Sequence, residues 1–152
     1  MNDDQLILLI EDNPNDAELT MLGFKRNHIQ HPILHLKSGV EALNYLFGVG
    51  KFAHRDVTKL PHAIVLDLTL PKVSGLEVLE TIRTHALTQN IPVIVLTSAE
   101  KETDTSMCLA LGVSAYLQKP IDFLAFSKLV TVIAGILNRL NREQALELVA
   151  NG

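Results

Sequence analysis

Carboxylates, one ammonium and one hydroxyl stand where the short apolar runs of this sequence end. Glu11-Asp12 follow Leu6 to Ile10, and Asp67 lies near the end of Ala63 to Leu68. Thr97-Ser98 follow Pro92 to Leu96, and Lys119-Pro120 come just after Ala115 to Leu117. Glu11, Asp12 and Asp67 gathered in one pocket would repel one another unless a cation lay among them. Hard oxygen donors favour Mg²⁺, which takes a few protein oxygens and keeps several waters. Asp12, Asp67 and the backbone carbonyl of Thr69 are the candidate direct ligands, with Glu11 acting through water. Lys119 could pair with Asp67 and then with an incoming phosphoryl oxygen, while the Thr97 hydroxyl donates to another. A carboxylate nucleophile, a divalent ion, a fixed cation and a hydroxyl are the parts that stabilise a phosphoryl transition state.

Such scattered residues can meet only if the chain between them folds in a particular way. Leu6 to Ile10, Ile33 to Leu36, Ala63 to Leu68, Pro92 to Leu96 and Ala115 to Leu117 read as strands. The first, third and fourth are apolar throughout, as suits strands buried on both faces of a parallel sheet. Helix-start signals lie between them. Asn13-Pro14 places a capping side chain before a proline at the first helical position. Ser38 with Glu41 and Ser74 with Glu77 fit the Ser-x-x-Glu capping box, and Asp122 could cap the last helix. The alternation predicts an α/β fold, a doubly wound five-stranded parallel sheet with helices on both faces. In such sheets the site forms in the crevice beyond the carboxyl ends of the strands, where the polar residues above would converge.

Two stretches depart from this rhythm. Gly48 to Pro61 is long, with mixed charges, and reads as an exposed loop. The last helix should run from near Asp122 to about Val149, with Leu129, Ile133, Ile136, Leu137 and Leu140 at helical spacing. The expected organisation is one domain over residues 1–140 and an extension of the last helix over 141–152, with no output domain.

Bulk properties narrow the function. The 152 residues carry a formal charge of −4 and no block of Lys or Arg, which argues against nucleic acid or an anionic membrane as partner. The lone Cys108 excludes an internal disulfide and is consistent with a reducing cytoplasm. The amino terminus does not read as a signal peptide. Leu129 to Leu137 is about half the length a bilayer demands, so a soluble chain is expected.

The set Glu11-Asp12, Asp67, Thr97 and Lys119-Pro120 resembles the receiver domain of two-component response regulators. It matches that family's acidic pair, phosphoacceptor aspartate, switch threonine and Lys-Pro. Asp67, Thr97 and Lys119 lie thirty and twenty-two residues apart, as in the family, and Asp67 to Pro71 with Gly75 resembles its acceptor loop. The resemblance covers residues 5 to about 140. It implies a flavodoxin-like sheet and a phosphoryl group accepted by Asp67 from a histidine kinase. It also implies Mg²⁺ at Glu11, Asp12, Asp67 and the Thr69 carbonyl, and Tyr116 as a rotating aromatic switch. More narrowly, residues 11–20, 66–71 and 117–123 and the long loop before the third strand look like single-domain regulators serving cyanobacterial and other bacterial phytochromes. That likeness implies a phytochrome kinase as partner. It also implies a homodimer through the fourth helix (about Glu102 to Leu111), the fifth strand and the fifth helix. Thr69 and Val73-Ser74 depart from the usual loop without removing a side-chain ligand.

Other readings compete. An aspartyl-nucleophile phosphohydrolase needs a second acid two residues after the nucleophile, where this chain has Thr69. A degenerate receiver used as a scaffold would not keep the whole set. His28, His31 and His35 suggest a metal site, but Pro32 and the change from helix to strand spoil a common face, so they read as surface or packing residues. Cys108 reads as packing. Leu137, Leu140, Leu146 and Leu148 exposed on a helix longer than its sheet would favour a dimer.

Overall fold

The computed structural model describes residues 6–98 and 102–151, the side chains of 102–103 and 141–151 excepted. Five parallel strands form one sheet in the order β2-β1-β3-β4-β5. They are β1 Ile7–Ile10, β2 Ile33–Leu36, β3 Ala63–Asp67, β4 Val93–Thr97 and β5 Ala115–Gln118. The helices between them are α1 Pro14–Arg26, α2 Gly39–Phe47, α3 Gly75–Thr84, α4 Glu102–Ala110 and α5 Phe123–Asn151. The doubly wound α/β reading holds, and Asp67 and Thr97 are the last residues of their strands.

Alternation within the buried strands divides the core in two, because successive side chains leave opposite faces of a sheet. Leu8, Ile10, Ile64, Leu66, Val93 and Val95 meet Ala42, Tyr45, Leu46, Val78, Leu79, Ile82 and Cys108 on one face. Ile7, Leu9, Ala63, Val65, Ile94 and Leu96 meet Ala17 and Phe24 of α1 and Phe126, Val130, Ile133, Ala134 and Leu137 of α5 on the other. Both faces are covered, which is why these strands carry no polar alternation.

The helix starts follow the sequence signals. Asn13 Oδ1 accepts from the amides of Asn15 and Asp16 at 2.9 and 3.1 Å, ahead of Pro14. Ser38 and Ser74 accept from the amides of Glu41 and Glu77, and Asp122 accepts from that of Ala125. The first capping box closes one residue off its ideal pairing. Glu41 accepts from the amide of Lys37, not of Ser38. Gly48 ends α2 at φ +66°, a conformation that costs a side-chain-bearing residue.

Two expectations need correction, and a third gains detail. The connection after α2 is exposed over most of its length, as expected, but it also carries local structure. It contains a 3₁₀ turn at Gly50–Phe52, and Phe52 packs edge-on against Tyr45 with ring centroids 5.2 Å apart. Arg55 lies over the Tyr45 ring and donates to the carbonyls of Tyr45 and Lys59 at 2.7 and 2.9 Å. Leu137 is fully buried and Leu140 packs against the second core, while the side chains of Leu146 and Leu148 lie outside the described residues. Among the described residues, the exposed large apolar side chains of this region are instead Ile121, Phe123, Leu124 and Val132, with Met107 and Leu109 on α4. Finally, the apolar stretch of α5 is longer than Leu129 to Leu137. Phe123–Leu140 is long and apolar enough to cross a membrane by length and composition alone, at mean hydropathy 1.6. Its buried stripe, however, closes the core against α1 and the sheet.

Candidate active site

The chain reverses direction across the sheet at β1, which has β2 on one side and β3 on the other. A crevice opens at such a switch point, past the carboxyl ends of the strands. Glu11 and Asp12 leave β1 there, and Asp67 ends β3 beside them. One oxygen from each of the three acids lies within 4.8 Å of the others, with Glu11 and Asp67 buried and Asp12 exposed. Lys119 reaches in from the end of β5. Its Nζ lies 2.6 Å from Glu11 Oε1, 3.0 Å from Asp67 Oδ2 and 2.9 Å from Asp16 Oδ2.

Backbone groups fix these side chains. The amide of Thr69 donates to Asp67 Oδ1 at 2.8 Å, and that of Asn13 to Glu11 Oε2 at 3.2 Å. Thr97 is buried, and its carbonyl accepts from the amide of Lys119 at 2.7 Å, so the β4–β5 ladder sets both residues. The loop after β3 is held against α3 by a close approach. A Cβ on Gly75 would lie 2.4 Å from Leu68 Cα and 2.5 Å from the Asp67 carbonyl oxygen, so only glycine fits. The Thr69 hydroxyl faces Ser98 Oγ at 3.2 Å, linking the loops after β3 and β4.

Burial and crowding set the charges. Burial, with a hydrogen bond to Asp67, pushes the Glu11 carboxyl up to about 8. Burial also works to raise Asp67, but the hydrogen bonds from Glu11, the Thr69 amide and Lys119 overcome it and hold that acid below its ordinary value. Glu11 and Asp67 titrate as one crowded pair, in which Glu11 takes up a proton more readily than Asp67. Burial alone would weaken the Lys119 cation, yet hydrogen bonds to Glu11, Asp16 and Asp67 raise its pKa well above the usual lysine value. The donor set fits a hard divalent cation, since charge brought in from outside would relieve the remaining repulsion.

The structure brings together Glu11, Asp12, Asp67 and Lys119, with Thr97 ending the next strand. Tyr116 on β5 directs its hydroxyl into a buried place without a hydrogen-bond partner. Two residues escaped the sequence reading. Asp16 is a further acid on Lys119; its i+4 spacing from Asp12 was a visible but weak signal. His35 has Nε2 2.7 Å from the carbonyl oxygen of Glu11 and so braces the acidic pair. His31 stacks on the buried His62 with centroids 4.3 Å apart, and His28 adopts φ +62° just past α1. Among the described residues, the three histidines take part in no cluster able to hold a metal.

The family model of the response regulator receiver domain matches residues 7–133. The chain belongs to the response regulator receiver family. Members of this family are signalling proteins of two-component systems. The response regulator Rcp1 of Synechocystis sp. is 34% identical over 129 residues, which cover 85% of this chain and 86% of Rcp1. The crystal structure of the Mn²⁺-bound form of Rcp1 superposes with a TM-score of 0.78, covering 85% of this chain and 91% of that one. The phosphorylated cyanobacterial phytochrome response regulator RcpA gives a TM-score of 0.76 at 32% identity, covering 85% and 90%. A probable methanogenesis regulatory protein, FilR2 of Methanothrix harundinacea, is 38% identical over 118 residues, 78% of this chain and 74% of that protein. This receiver is thus close to phytochrome response regulators, though likeness of this degree is not confined to them.

Proposed function

We propose that the protein is a single-domain response regulator whose Asp67 accepts a phosphoryl group from a partner histidine kinase. The observation that carries this reading is the Lys119 ammonium bridging Glu11 and Asp67 beside the exposed Asp12. An Asp67 oxygen forms the O–P bond as the N–P bond of a phosphohistidine breaks. The imidazole departs with the electron pair and takes up a proton. Glu11, Asp12, Asp67 and the carbonyl of Thr69 would hold Mg²⁺, which when bound offsets charge on the transferring phosphoryl. The chain's own part is to keep Asp67 ionised, to fix it through the Thr69 amide, and to set Lys119 and the Thr97 hydroxyl around the new oxygens.

Phosphorylation would then draw Thr97 inward, with Tyr116 securing the altered arrangement of α4, β5 and α5. The buried, unpartnered Tyr116 hydroxyl and the exposed apolar residues on α4 and α5 support that coupling. We assign the same surface to a homodimer. A phytochrome-type kinase is the favoured partner, supported by the closeness to Rcp1 and RcpA, and the setting is the cytoplasm. Slow return of phosphate to water would be the only turnover.

Phosphotransfer from a ³²P-labelled phytochrome kinase, set against several unrelated labelled kinases, tests the partnership. Fast transfer to the wild type and none to Asp67→Asn is expected. Transfer that is equally slow from every kinase would remove phytochrome from the proposal.

A further inference from the structure

Lys119 has three N–H groups and three carboxylates around it, from Glu11, Asp16 and Asp67. A phosphoryl oxygen arriving at Asp67 adds an acceptor that the ammonium can serve only if a present partner lets go. The three partners are unequal. Glu11 and Asp67 side chains are 3% exposed, whereas that of Asp16, in the first turn of α1, is 28% exposed. Releasing a buried carboxylate strands a charge away from water, while releasing Asp16 returns one to solvent. The short bond to Glu11, at 2.6 Å, also marks that partner as the fixed one.

We propose that Asp16 is a latch on Lys119: it holds the ammonium in the unphosphorylated protein and yields it when a phosphoryl group occupies Asp67. This rests on Asp67 being the acceptor and deepens that reading by naming a positioning residue that sets how readily the site fills. Asp16 opposes occupancy in two ways. It competes for Lys119, and its negative charge repels the incoming anion. A residue that merely steadied Lys119 would have the opposite effect, so the sign of the change discriminates.

The test is titration of the full chain with beryllofluoride in the presence of Mg²⁺, for wild type, Asp16→Asn and Asp16→Ala. Thermal melts check that each variant is folded, and Asn preserves the side-chain volume if Ala does not fold. The latch predicts binding about two- to fivefold tighter in the variants, the worth of a partly exposed ion pair. It also predicts that this advantage shrinks as NaCl rises from about 0.05 to about 1 M, because screening weakens the latch in the wild type. Unchanged or weaker binding in folded Asp16→Asn would overturn the latch, as would an advantage insensitive to salt. Failure of the wild type itself to bind beryllofluoride would overturn the assignment of Asp67 instead.

Discussion

The main-chain amide of Lys119 donates to the carbonyl of Thr97 at 2.7 Å, so the cation and the hydroxyl of the site share one hydrogen-bonded register. Asp67 is tied to the same sheet, with the following amide, that of Leu68, bonded to the Leu96 carbonyl at 2.8 Å. Neighbouring strands thereby carry carboxylate, hydroxyl and cation as one unit.

Removing the cation should expose its structural weight. Lys119→Met leaves Glu11, Asp16 and Asp67 facing one another without compensation, and breaking a buried pair costs about 3–5 kcal/mol. Because Asp67 lies below its ordinary value of 3.8, in part through Lys119, its contribution is present above pH 3.8 and fades as pH falls through the lower folded-state value. Urea unfolding of wild type and variant should show the gap at pH 7 and a narrower gap in acid.

Glu11 predicts the opposite slope. With its pKa raised from 4.5 to about 8, the protonated form is the one favoured by folding. Its contribution is complete below pH 4.5 and is lost as pH rises toward about 8. Metal-free protein should therefore lose stability across that window, and Glu11→Gln should flatten the loss. Since a cation competes with protonation of Glu11, Mg²⁺ affinity should climb with pH toward about 8, with proton release on binding. Calorimetry in buffers of different ionisation enthalpy measures that release.

Gly75→Ala should damage the site without touching its chemistry. The new Cβ would press on Leu68 Cα and the Asp67 carbonyl, which are backbone and cannot swing aside. Overpacking of this kind costs about 1–3 kcal/mol, and displacement of the Asp67 loop should slow phosphorylation at least tenfold. Melting curves and labelling rates check the two effects separately.

Arg83 offers a stability test away from Asp67. Its guanidinium donates to the carbonyls of Leu111 and Ile91 at 2.7 Å each and of Gln89 at 3.1 Å, joining the end of α4 to the approach to β4. Arg83→Lys loses the planar fork and should cost about 2 kcal/mol in urea unfolding, with phosphorylation of Asp67 retained.

The parts of the fold legible in the sequence were those with strong local signals. Apolar runs marked β1, β3 and β4, and Asn13-Pro14, Ser38 and Ser74 marked helix starts, because capping chemistry is read within four residues. Asp67, Thr97 and Lys119 were legible because strand ends in a parallel sheet converge. Arg55, Arg83 and His35 were not, since each acts by donating to, or lying beside, backbone carbonyls of other segments, and a carbonyl has no residue type. Asp16 was hidden for a related reason: only the folded start of α1 brings it to a lysine more than a hundred positions away. Leu137 misled because helical spacing does not say which of two apolar stripes faces the sheet.

The most direct measurement is to treat the protein with an acyl-phosphate donor and Mg²⁺, reduce the acyl phosphate with borohydride, and map the modified residue by mass spectrometry. Modification confined to Asp67, dependent on Mg²⁺ and absent in Asp67→Asn, is the expected result. Phosphate on another residue, or undiminished labelling of Asp67→Asn, would contradict it.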